Sequence, residues 1–479
     1  MGGIMTSSAE VPTRTDVLIV GAGPAGLALA ASLRQLSVDH VLIDRTTSVQ
    51  PGSKAAAVQP RTLEYLDRIG VADALVKIGV RSPGFSLHDC EKTLLRASFT
   101  DLDTPFPFVL LVSQQTTEEC LLDRLLDLGG TVHRDHRFID FTDDFPGVSA
   151  TVAGPDGVLR AISARYLVGC DGVRSGVRAN AGIEFPGTAR ESRFTIADIR
   201  LSTVAEELIA QDTTFFLSGA GMLLFSPLAD GQYRVVSPAP PGMSEPTQHD
   251  VQMLLAERGP LSGQATVTEV VRASTYRVQE RVAETFRKGP VFLVGDAAHT
   301  HSPAGAQGMN TGIQDAGNLA WKLHTVLTGA AGNELLDSYH AERHPIATAM
   351  VGFTATFAKL ASVRDPLGAR LRNDVLAAAA GTLGVTDWIA AKLSELDVSY
   401  AQGPAGRLRI GDRVPPTAVP GSDLTWTLAT PDLQEIQGLP ADVTVRHIPG
   451  LDTALLVRPD GYLAASGAPT ELLTHLPIA

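Results

Sequence analysis

A strand, a glycine-rich loop and a helix near the start of the sequence place the strongest constraint on its fold. The apolar segment DVLIV (16–20) predicts a short strand, and the segment from Pro24 to Leu36, rich in Ala and Leu, predicts a helix. Gly21, Gly23 and Gly26 form a GxGxxG motif between them. In that motif the first glycine permits a tight turn, the second lets the backbone approach a pyrophosphate, and the third lets the helix pack on the strand.

A second strand completes a βαβ unit. The segment HVLIDR (40–45) follows the helix and ends in Asp44 and Arg45. A right-handed crossover puts the N-terminus of the helix, with Ala25 in its first turn, at the carboxyl edge of the first strand, where a phosphate binds. The Asp44 carboxylate can accept the hydroxyls of an adenosine ribose. We therefore expect an α/β fold with a Rossmann-like dinucleotide-binding domain, although the motif alone does not separate NAD from FAD.

A second polar cluster lies far downstream, in the segment FLVGDAAHTHSPAGAQGMNTGIQDAGNLAWKL (292–323). Asp296 ends an apolar strand, where a carboxylate can hold a sugar hydroxyl or cap a helix. A helix is predicted to begin near Asn310, and the loop before it leaves backbone N–H groups available to an anion. His299 and His301 lack acidic neighbours at zinc-ligand spacing, so we expect hydrogen bonding or capping from them rather than metal binding.

Another buried-type strand, ARYLVGCDG (164–172), ends in Asp171 and Gly172. It and the strand GPVFLVGDAA (289–298) thus both end in an aspartate. An Asp-Gly pair is common in turns, so a purely structural role is the simplest interpretation of Asp171 and Gly172 taken alone.

Strand-like segments of a different character interrupt this nucleotide-binding pattern. Their short, alternating sequences predict a mostly antiparallel sheet and hence a separate substrate-binding domain. The predicted boundaries are 1–15 for a disordered leader, 16–82, 113–184 and 276–400 for a discontinuous nucleotide-binding domain with trailing helices, 83–112 and 185–275 for the substrate-binding domain, and 401–479 for a small separate α/β domain.

Two segments of the predicted antiparallel sheet supply the candidate substrate-binding residues. TTFFLS and GMLLFSPL carry Phe215, Met222, Leu224 and Phe225. Because side chains alternate between the two faces of a strand, these residues can contribute to the lining of a broad apolar pocket, although ordinary core packing explains them as well. No general base can be named from the sequence.

The composition restricts the partners and the compartment. The chain has 479 residues, with 39 Lys+Arg against 52 Asp+Glu and a formal net charge of −13, which disfavours nucleic acid or an anionic membrane as the main partner. Three cysteines without a CxxC pair argue against a disulfide framework and a zinc site. No membrane-spanning apolar run or secretory signal is visible, so we expect a cytoplasmic monomer or homodimer without a metal.

Taken in order, these motifs resemble the single-component (class A) FAD-dependent aromatic hydroxylases of the p-hydroxybenzoate hydroxylase fold. The most similar members are the aromatic polyketide hydroxylases and the rifampicin monooxygenases. The resemblance rests on the GxGxxG unit with its acid, on Gln114 at the start of a helix, on YLVGCDGVRSGVR, on the segment 292–323 and on LLDSYHAERHPIA (335–347). It runs from about residue 16 to residue 350.

The resemblance implies a role for each matching residue. It implies that the FAD pyrophosphate is bound by Gly21, Gly23, Ala25, Gly26 and Lys54, and the adenosine by Asp44, Arg45 and Phe138. It implies that the ribityl chain and the flavin ring are bound by Gln114, Asp296, Pro303, Gly308, Met309 and Asn310. Asp171 and Gly172 match a family motif that is linked to both FAD and the nicotinamide cofactor. Lys54 stands where the family usually has Arg, which replaces a bidentate phosphate clamp by a point charge and is expected to weaken FAD binding. Ala306 stands where Gly is usual and mildly restricts the loop.

The implied activity is hydroxylation of a phenolic, polycyclic or polyketide-like aromatic substrate. NADPH or NADH would reduce FAD, and O2 would add to the flavin as a C4a-hydroperoxide that transfers its outer oxygen. The C-terminal residues resemble a shortened form of the family's thioredoxin-like domain, which cannot be a dithiol redox domain because no cysteine follows Cys170. Two alternatives remain, namely a flavin reductase or dehydrogenase of the same fold, and a non-catalytic flavoprotein that sequesters a drug-like ligand.

Overall fold

The protein is described by a computed structural model that covers most of the chain. The described residues are 10–49, 57–89, 92–144, 146–202, 212–259, 265–302, 307–361, 363, 365–401, 408–420, 423–432, 439–440 and 443–476.

Strands from distant parts of the sequence form the sheets. In chain order they are β1 (Arg14–Val20), β2 (His40–Ile43), β3 (Ala57–Val58), β4 (Val80–Ser82), β5 (Gly84–His88), β6 (Thr93–Ser98), β7 (Val109–Leu111), β8 (Arg137–Asp144), β9 (Gly147–Ala153), β10 (Leu159–Gly169), β11 (Gly187–Leu201), β12 (Thr213–Ser218), β13 (Gly221–Pro227), β14 (Tyr233–Pro238), β15 (Val267–Val282), β16 (Arg287–Lys288), β17 (Val291–Leu293), β18 (His299–Thr300), β19 (Trp426–Thr430), β20 (Val443–His447), β21 (Ala454–Val457) and β22 (Leu463–Gly467).

Helices cover these sheets and join them. In chain order they are α1 (Pro24–Gln35), α2 (Pro60–Arg68), α3 (Ala72–Ile78), α4 (Gln114–Asp127), α5 (Gly176–Asn180), α6 (Gln248–Arg258), α7 (Gly308–Leu327), α8 (Asp337–Ala361), α9 (Pro366–Ala380), α10 (Val385–Ser394) and α11 (Pro469–Leu472). No helix of the described residues has the length and the hydropathy that a membrane span requires.

The first sheet is the expected nucleotide-binding sheet. Its strand order is β16-β17-β10-β1-β2, with β9 added to β10 and β8 added to β9. The β1–β2, β1–β10 and β10–β17 pairs are parallel, so the ends of β1, β10 and β17 meet at one edge. Helices α1, α4 and α7 cover it, and the main buried core lies between them. The predicted α/β fold class is therefore confirmed.

The second sheet has eight strands in the order β18-β15-β11-β14-β13-β12-β5-β6. All of its pairs are antiparallel except β12–β5, in agreement with the expected mostly antiparallel sheet. Its two faces are buried separately, one against α8, α9 and α10 and the other against α6. Strand β15 continues to Val282, six residues past the predicted boundary at 276, because it pairs with β11 along its whole length.

The ends of the chain differ in part from the expectation. Strand β1 begins at Arg14, inside the predicted leader, because Arg14 and Thr15 already pair with β10. Residues 1–9 lie outside the described part of the chain. Toward the C-terminus, β20-β19-β21-β22 form a separate four-stranded mixed sheet with α11 beside it. The domain boundaries themselves stay a prediction.

Candidate functional site

The glycine-rich loop has the geometry that its sequence predicts. Gly21 has a φ of +107°, which disfavours any residue with a side chain. A Cβ at Gly26 would lie 1.9 Å from the Gly21 carbonyl oxygen, so only glycine lets α1 approach β1 this closely. A Cβ at Gly23, by contrast, would meet no atom within 4 Å. Gly23 therefore faces open space large enough for a ligand group, whereas Gly21 and Gly26 face the protein.

Two helices present uncapped N-termini to one cavity. No side chain caps α1 or α7 among the described residues, whereas Ser113 and Ser175 cap α4 and α5. Ala25 in the first turn of α1 and Gly308 and Met309 in that of α7 line the cavity. Because uncapped N–H groups and the positive end of the helix dipole bind anions, the same cavity has two anion-binding ends.

The cavity has a volume of about 450 Å³ and lies between the first and second sheets. Gln114, Gly172 and Asp296 line it, together with the two helix starts. Asp296 lies in a 3-10 turn at Gly295–Ala297, immediately after β17, and its side chain is exposed to the cavity rather than capping a helix. The downstream cluster and the glycine-rich loop therefore belong to one site.

Asp44 lies at the carboxyl end of β2, where the sequence places it. Its Oδ2 accepts a hydrogen bond from the Ala22 N–H at 2.6 Å, and its Oδ1 accepts from the Thr46 N–H and hydroxyl. The carboxylate thus connects the second strand to the glycine-rich loop, half-buried and within reach of a ligand there. Arg45, the next residue, is exposed.

Asp171 has the structural role that an Asp-Gly pair suggests. Its carboxylate accepts hydrogen bonds from the Ser175 hydroxyl at 2.5 Å and from the Gly176 and Val177 N–H groups at 2.7 and 3.2 Å. It thereby satisfies the start of α5, while Gly172, with a φ of +79°, faces the cavity. Burial raises the pKa of Asp171. A direct role of its carboxylate toward FAD or the nicotinamide cofactor stays a prediction.

Asn310 connects α7 to a strand far away in the sequence. Its side-chain Oδ1 accepts from the Gln59 N–H at 2.8 Å, and its Nδ2 donates to the Ala57 carbonyl at 3.0 Å. The side chain is fully buried. Helix α7 begins at Gly308, two residues before the predicted start, and Asn310 fixes that start against β3. The side chain therefore holds the start of the helix in place, and a contact of the Asn310 backbone amide with the flavin ring stays a prediction.

A buried polar network lies beneath the start of α7. Asp315 accepts from the His299 Nε2 at 2.7 Å, from the Arg343 Nε at 2.7 Å and from the Gly295 N–H at 3.2 Å. Arg343 also donates to the Tyr400 hydroxyl at 3.3 Å. Burial alone would raise the pKa of Asp315, but Arg343 and His299 lower it below its ordinary value. This network explains His299 without a metal.

His301 lines the cavity itself. Its Nδ1 lies 2.6 Å from the Ser302 carbonyl, and burial lowers its pKa to about 4. A Cβ at Gly308 would lie 2.5 Å from the His301 Nε2, so the imidazole packs directly on the first turn of α7. At neutral pH it is an uncharged hydrogen-bonding group. The described residues contain no cluster of three or more His, Cys, Asp or Glu that could hold a metal ion.

The second sheet supplies the opposite wall of the cavity. Phe215 of β12 and Leu224 of β13 line it, in agreement with the prediction from their strand sequences. Met222 lies in the same buried cluster as Phe215 but is not among the cavity-lining residues. Phe225 corrects the expectation, because it packs on the other face against α6 residues and stacks on Tyr233 with ring centroids 5.0 Å apart. Adjacent strand residues point to opposite faces, so Leu224 and Phe225 cannot both reach the cavity.

A buried ion pair on this wall is not predicted by the sequence patterns. Arg234 of β14 lines the cavity and donates to both oxygens of Asp198 at 2.7 and 2.9 Å, and Arg272 donates to Asp198 at 2.5 Å. The available signal was two opposite charges inside the apolar strand patterns RFTIADIRL and QYRVVSP. Ser226 lines the same part of the cavity, which therefore has a polar end next to this ion pair.

The remaining candidates lie at the edges of this site or outside it. Phe138 lies in β8, partly buried, next to Gly176 at the start of α5. Gln114 is the first residue of α4 and donates to the Glu118 Oε1 at 2.8 Å. Lys54 and Pro303, like Ala306, lie outside the described residues, so their roles stay predictions.

The residues present fit a bound FAD. The open space at Gly23 accepts a pyrophosphate where a Cβ would intrude, and the start of α1 supplies N–H donors to it. Asp44 at the end of β2 and the exposed Asp296 carboxylate can accept hydroxyl groups, as ribose and ribityl chains require. The start of α7 can stabilise negative charge on a reduced flavin ring.

Comparison with known proteins agrees with this geometry. The FAD binding domain family matches residues 14–354. The chain is 34% identical to the 12-dehydrotetracycline 5-monooxygenase/anhydrotetracycline 6-monooxygenase of Streptomyces rimosus subsp. rimosus, with 95% of this chain and 96% of that protein covered. It is also 34% identical to the rifampicin monooxygenase of Streptomyces venezuelae, with 96% and 98% covered.

A solved structure extends the likeness to the whole fold. The OxyS anhydrotetracycline hydroxylase from Streptomyces rimosus matches with a TM-score of 0.79 at 33% identity, with 95% of this chain and 96% of that chain covered. The chain therefore belongs to the FAD-binding domain family. Its cofactor is FAD, and its class is that of the FAD-dependent aromatic monooxygenases.

Proposed function

We propose that this protein hydroxylates a phenolic, polycyclic or polyketide-like aromatic compound with NADPH or NADH and O2. One observation carries the proposal, namely that a single cavity has flavin-binding elements on one wall and an apolar, aromatic surface on the other. Ala25, Asp296 and Met309 lie on the first wall, and Phe215 and Leu224 lie on the second. A ring held between these walls is placed next to the flavin-binding side.

Named residues of this chain would hold the cofactor. Gly21, Gly23 and Gly26 with the start of α1 would bind the pyrophosphate, and Asp44 the adenosine ribose. Asp296 would bind the ribityl chain, and the amides of Met309 and Asn310, with Gly308 beside them, would lie against the flavin ring. When bound and reduced by a nicotinamide, FAD supplies the activation of O2 that the protein's own side chains lack.

The second wall supports an aromatic substrate that carries hydroxyl groups. Phe215 and Leu224, with Phe85 and Val236 beside them, give flat apolar contact area for a ring system. The Ser226 hydroxyl at the polar end, beside the Arg234–Asp198 ion pair, suits a phenolic hydroxyl group. The apolar residues also exclude water, which protects a reactive oxygen donor from wasteful decomposition.

Substrate-dependent turnover tests the proposal. The purified protein should carry a yellow bound flavin, and a panel of phenols that ranges from one ring to four fused rings should include a compound that accelerates NADPH or NADH oxidation. The product should be one oxygen atom heavier, with that atom derived from isotopically labelled O2. Accelerated oxidation with only hydrogen peroxide as product marks a compound that triggers reduction without being the substrate.

Two outcomes would contradict the proposal. Tight binding of a polycyclic phenol without any change in nicotinamide oxidation would favour the sequestering flavoprotein. Nicotinamide oxidation that is equally fast with an artificial electron acceptor under anaerobic conditions, and that never transfers oxygen to an aromatic compound, would favour a reductase or dehydrogenase.

A further inference from the structure

Helix α9 carries an apolar stripe on the face turned away from the protein. Leu367, Leu371 and Val375 follow each other at intervals of four residues, and their exposed fractions are 77%, 64% and 58%. The opposite face anchors the helix: Arg372 is buried and donates to the Val363 carbonyl, and Leu376 packs on the core of the second sheet. We call Leu367, Leu371 and Val375 the α9 stripe.

Large apolar side chains remain exposed beyond the end of α9. Leu383 is fully exposed, and Trp388 of α10 is 54% exposed. Such a concentration of exposed apolar side chains in a short segment is typical of a binding surface. On its other side, α10 contributes Leu393 to the cavity wall, so this surface lies behind the proposed substrate site.

The charges beside the α9 stripe suggest its partner. Arg370 and Asp374 are both exposed and, at about 100° per residue, lie on the same side of the stripe, one turn apart. Neither has an ion-pair partner within the part of the chain that the structure describes. A helix that approaches in the antiparallel direction with the same sequence would carry the opposite charge at each of the two positions.

We propose that α9 pairs with α9 of a second copy of this chain across a two-fold axis near Leu371. In that arrangement Leu371 meets its own counterpart, and Leu367 lies beside Val375 of the second copy. On one side of the stripe, Arg370 and Asp374 of the second copy then lie about 3 Å apart along the helix axis, within reach of an ion pair in both directions. The interface is isologous, as two-fold dimers require, with an apolar centre and a charged rim.

The charge pattern favours a second copy over a lipid surface. Helices that lie on membranes are rich in Lys and Arg on their polar face, because lipid headgroups are commonly anionic. Beside the α9 stripe the charges are one Arg and one Asp, and the whole chain has a formal net charge of −13. A balanced pair of opposite charges serves pairing with an identical helix.

Sedimentation of the FAD-loaded protein over a range of concentrations tests the pairing. The wild type should be a dimer, and Leu371→Glu should raise the dissociation constant about a hundredfold or more, because two buried leucines are lost per dimer. Leu159→Glu is the matched control, because Leu159 is equally exposed at 61% but lies in β10, far from α9 in the sequence. It should leave the dimer unchanged.

A charge exchange distinguishes this specific pairing from nonspecific hydrophobic association. Arg370→Asp alone and Asp374→Arg alone each place like charges opposite one another twice per dimer, and each should weaken it about tenfold. The double variant, with both substitutions, restores opposite charges and should restore the dimer. FAD content and circular dichroism of every variant establish that the fold is intact.

Four results would overturn the proposal. The first is a wild type that stays monomeric at all concentrations. The second is a dimer that survives Leu371→Glu, and the third is a double charge variant that is as weak as the two single variants. Binding of the wild type to phosphatidylcholine–phosphatidylserine vesicles with loss of the dimer would also overturn it in favour of a lipid surface.

Discussion

Gly23→Ala is expected to separate cofactor binding from folding in the glycine-rich loop. Gly23 has φ −78° and ψ −175°, an extended conformation that alanine adopts without strain, and its added Cβ would meet no protein atom within 4 Å. The apoprotein should therefore fold as stably as the wild type, or about 0.4–1 kcal/mol more stably because alanine restricts the unfolded chain.

The same substitution should weaken the binding of FAD strongly. The Cβ occupies the space in which the pyrophosphate approaches the start of α1, so one or two N–H contacts to a charged phosphate are lost. Each such contact is worth about 1.5–3 kcal/mol. The dissociation constant of FAD should rise about 10- to 100-fold or more. Gly26→Ala should behave oppositely, with lost stability, because its Cβ would lie 1.9 Å from the Gly21 carbonyl oxygen.

Calorimetric titration of each apoprotein with FAD, together with thermal melts without FAD, measures both effects. Gly219→Ala is the matched control, because its Cβ also meets no atom within 4 Å but Gly219 lies in the β12–β13 turn. It should change neither quantity. An unchanged affinity of Gly23→Ala for FAD, or a melting temperature well below that of wild-type apoprotein, would refute the assignment of this loop to the pyrophosphate.

Four further variants test other parts of the structure. Leu224→Ala should raise the KM for the aromatic substrate, because Leu224 lines the cavity. Phe225→Ala should leave the KM unchanged and cost about 3–5 kcal/mol of unfolding free energy, because Phe225 packs on the other face of the sheet. The opposite pattern in kinetics and urea denaturation would show that Phe225, and not Leu224, faces the substrate. Asp315→Asn should cost about 3–5 kcal/mol, because it leaves Arg343 buried without its carboxylate, and an unchanged denaturation midpoint would contradict that role. Burial raises the pKa of Glu395 to about 8, from 4.5 in the unfolded chain, so its contribution to stability is complete below pH 4.5 and is lost as the pH rises through 8. Glu395→Gln should therefore be more stable than wild type by a few kcal/mol at pH 8 and similar to it at pH 4.5. Equal urea midpoints of the two proteins at both pH values would contradict the raised pKa of Glu395.

The parts of the site that the sequence predicts well are local. The GxGxxG loop is encoded within six consecutive residues, and the contacts of Gly21 and Gly26 involve the turn itself and the adjacent strand end. The apolar stretches of β1 and β12 are long enough to give their positions to within two residues. In such segments neighbouring residues determine the conformation, so a single sequence is sufficient.

Contacts between distant segments could not be predicted in the same way. Nothing in the local pattern indicates that the Asn310 side chain binds the backbone of Gln59, 251 positions away. The face that Phe225 presents depends on which side of β13 the helix α6 covers, and the alternation of residues does not identify that side. Both outcomes follow from tertiary packing, which selects one arrangement among several that the local pattern permits.

The C-terminal residues make such long-range contacts with a helix of the site. It lacks cysteine, so the sequence leaves its role open, but Arg458 donates to Glu342 at 2.7 and 2.9 Å and to Asp460 at 2.6 and 3.0 Å. Glu342 in turn accepts from Lys322 of α7 at 2.8 Å, and burial lowers the pKa of Lys322 to about 8. These charges are stable in the interior only as a set, because each would be costly without its partner. These contacts therefore hold the far end of α7, the helix whose first turn lines the cavity, so the C-terminal residues stabilise the site from a distance.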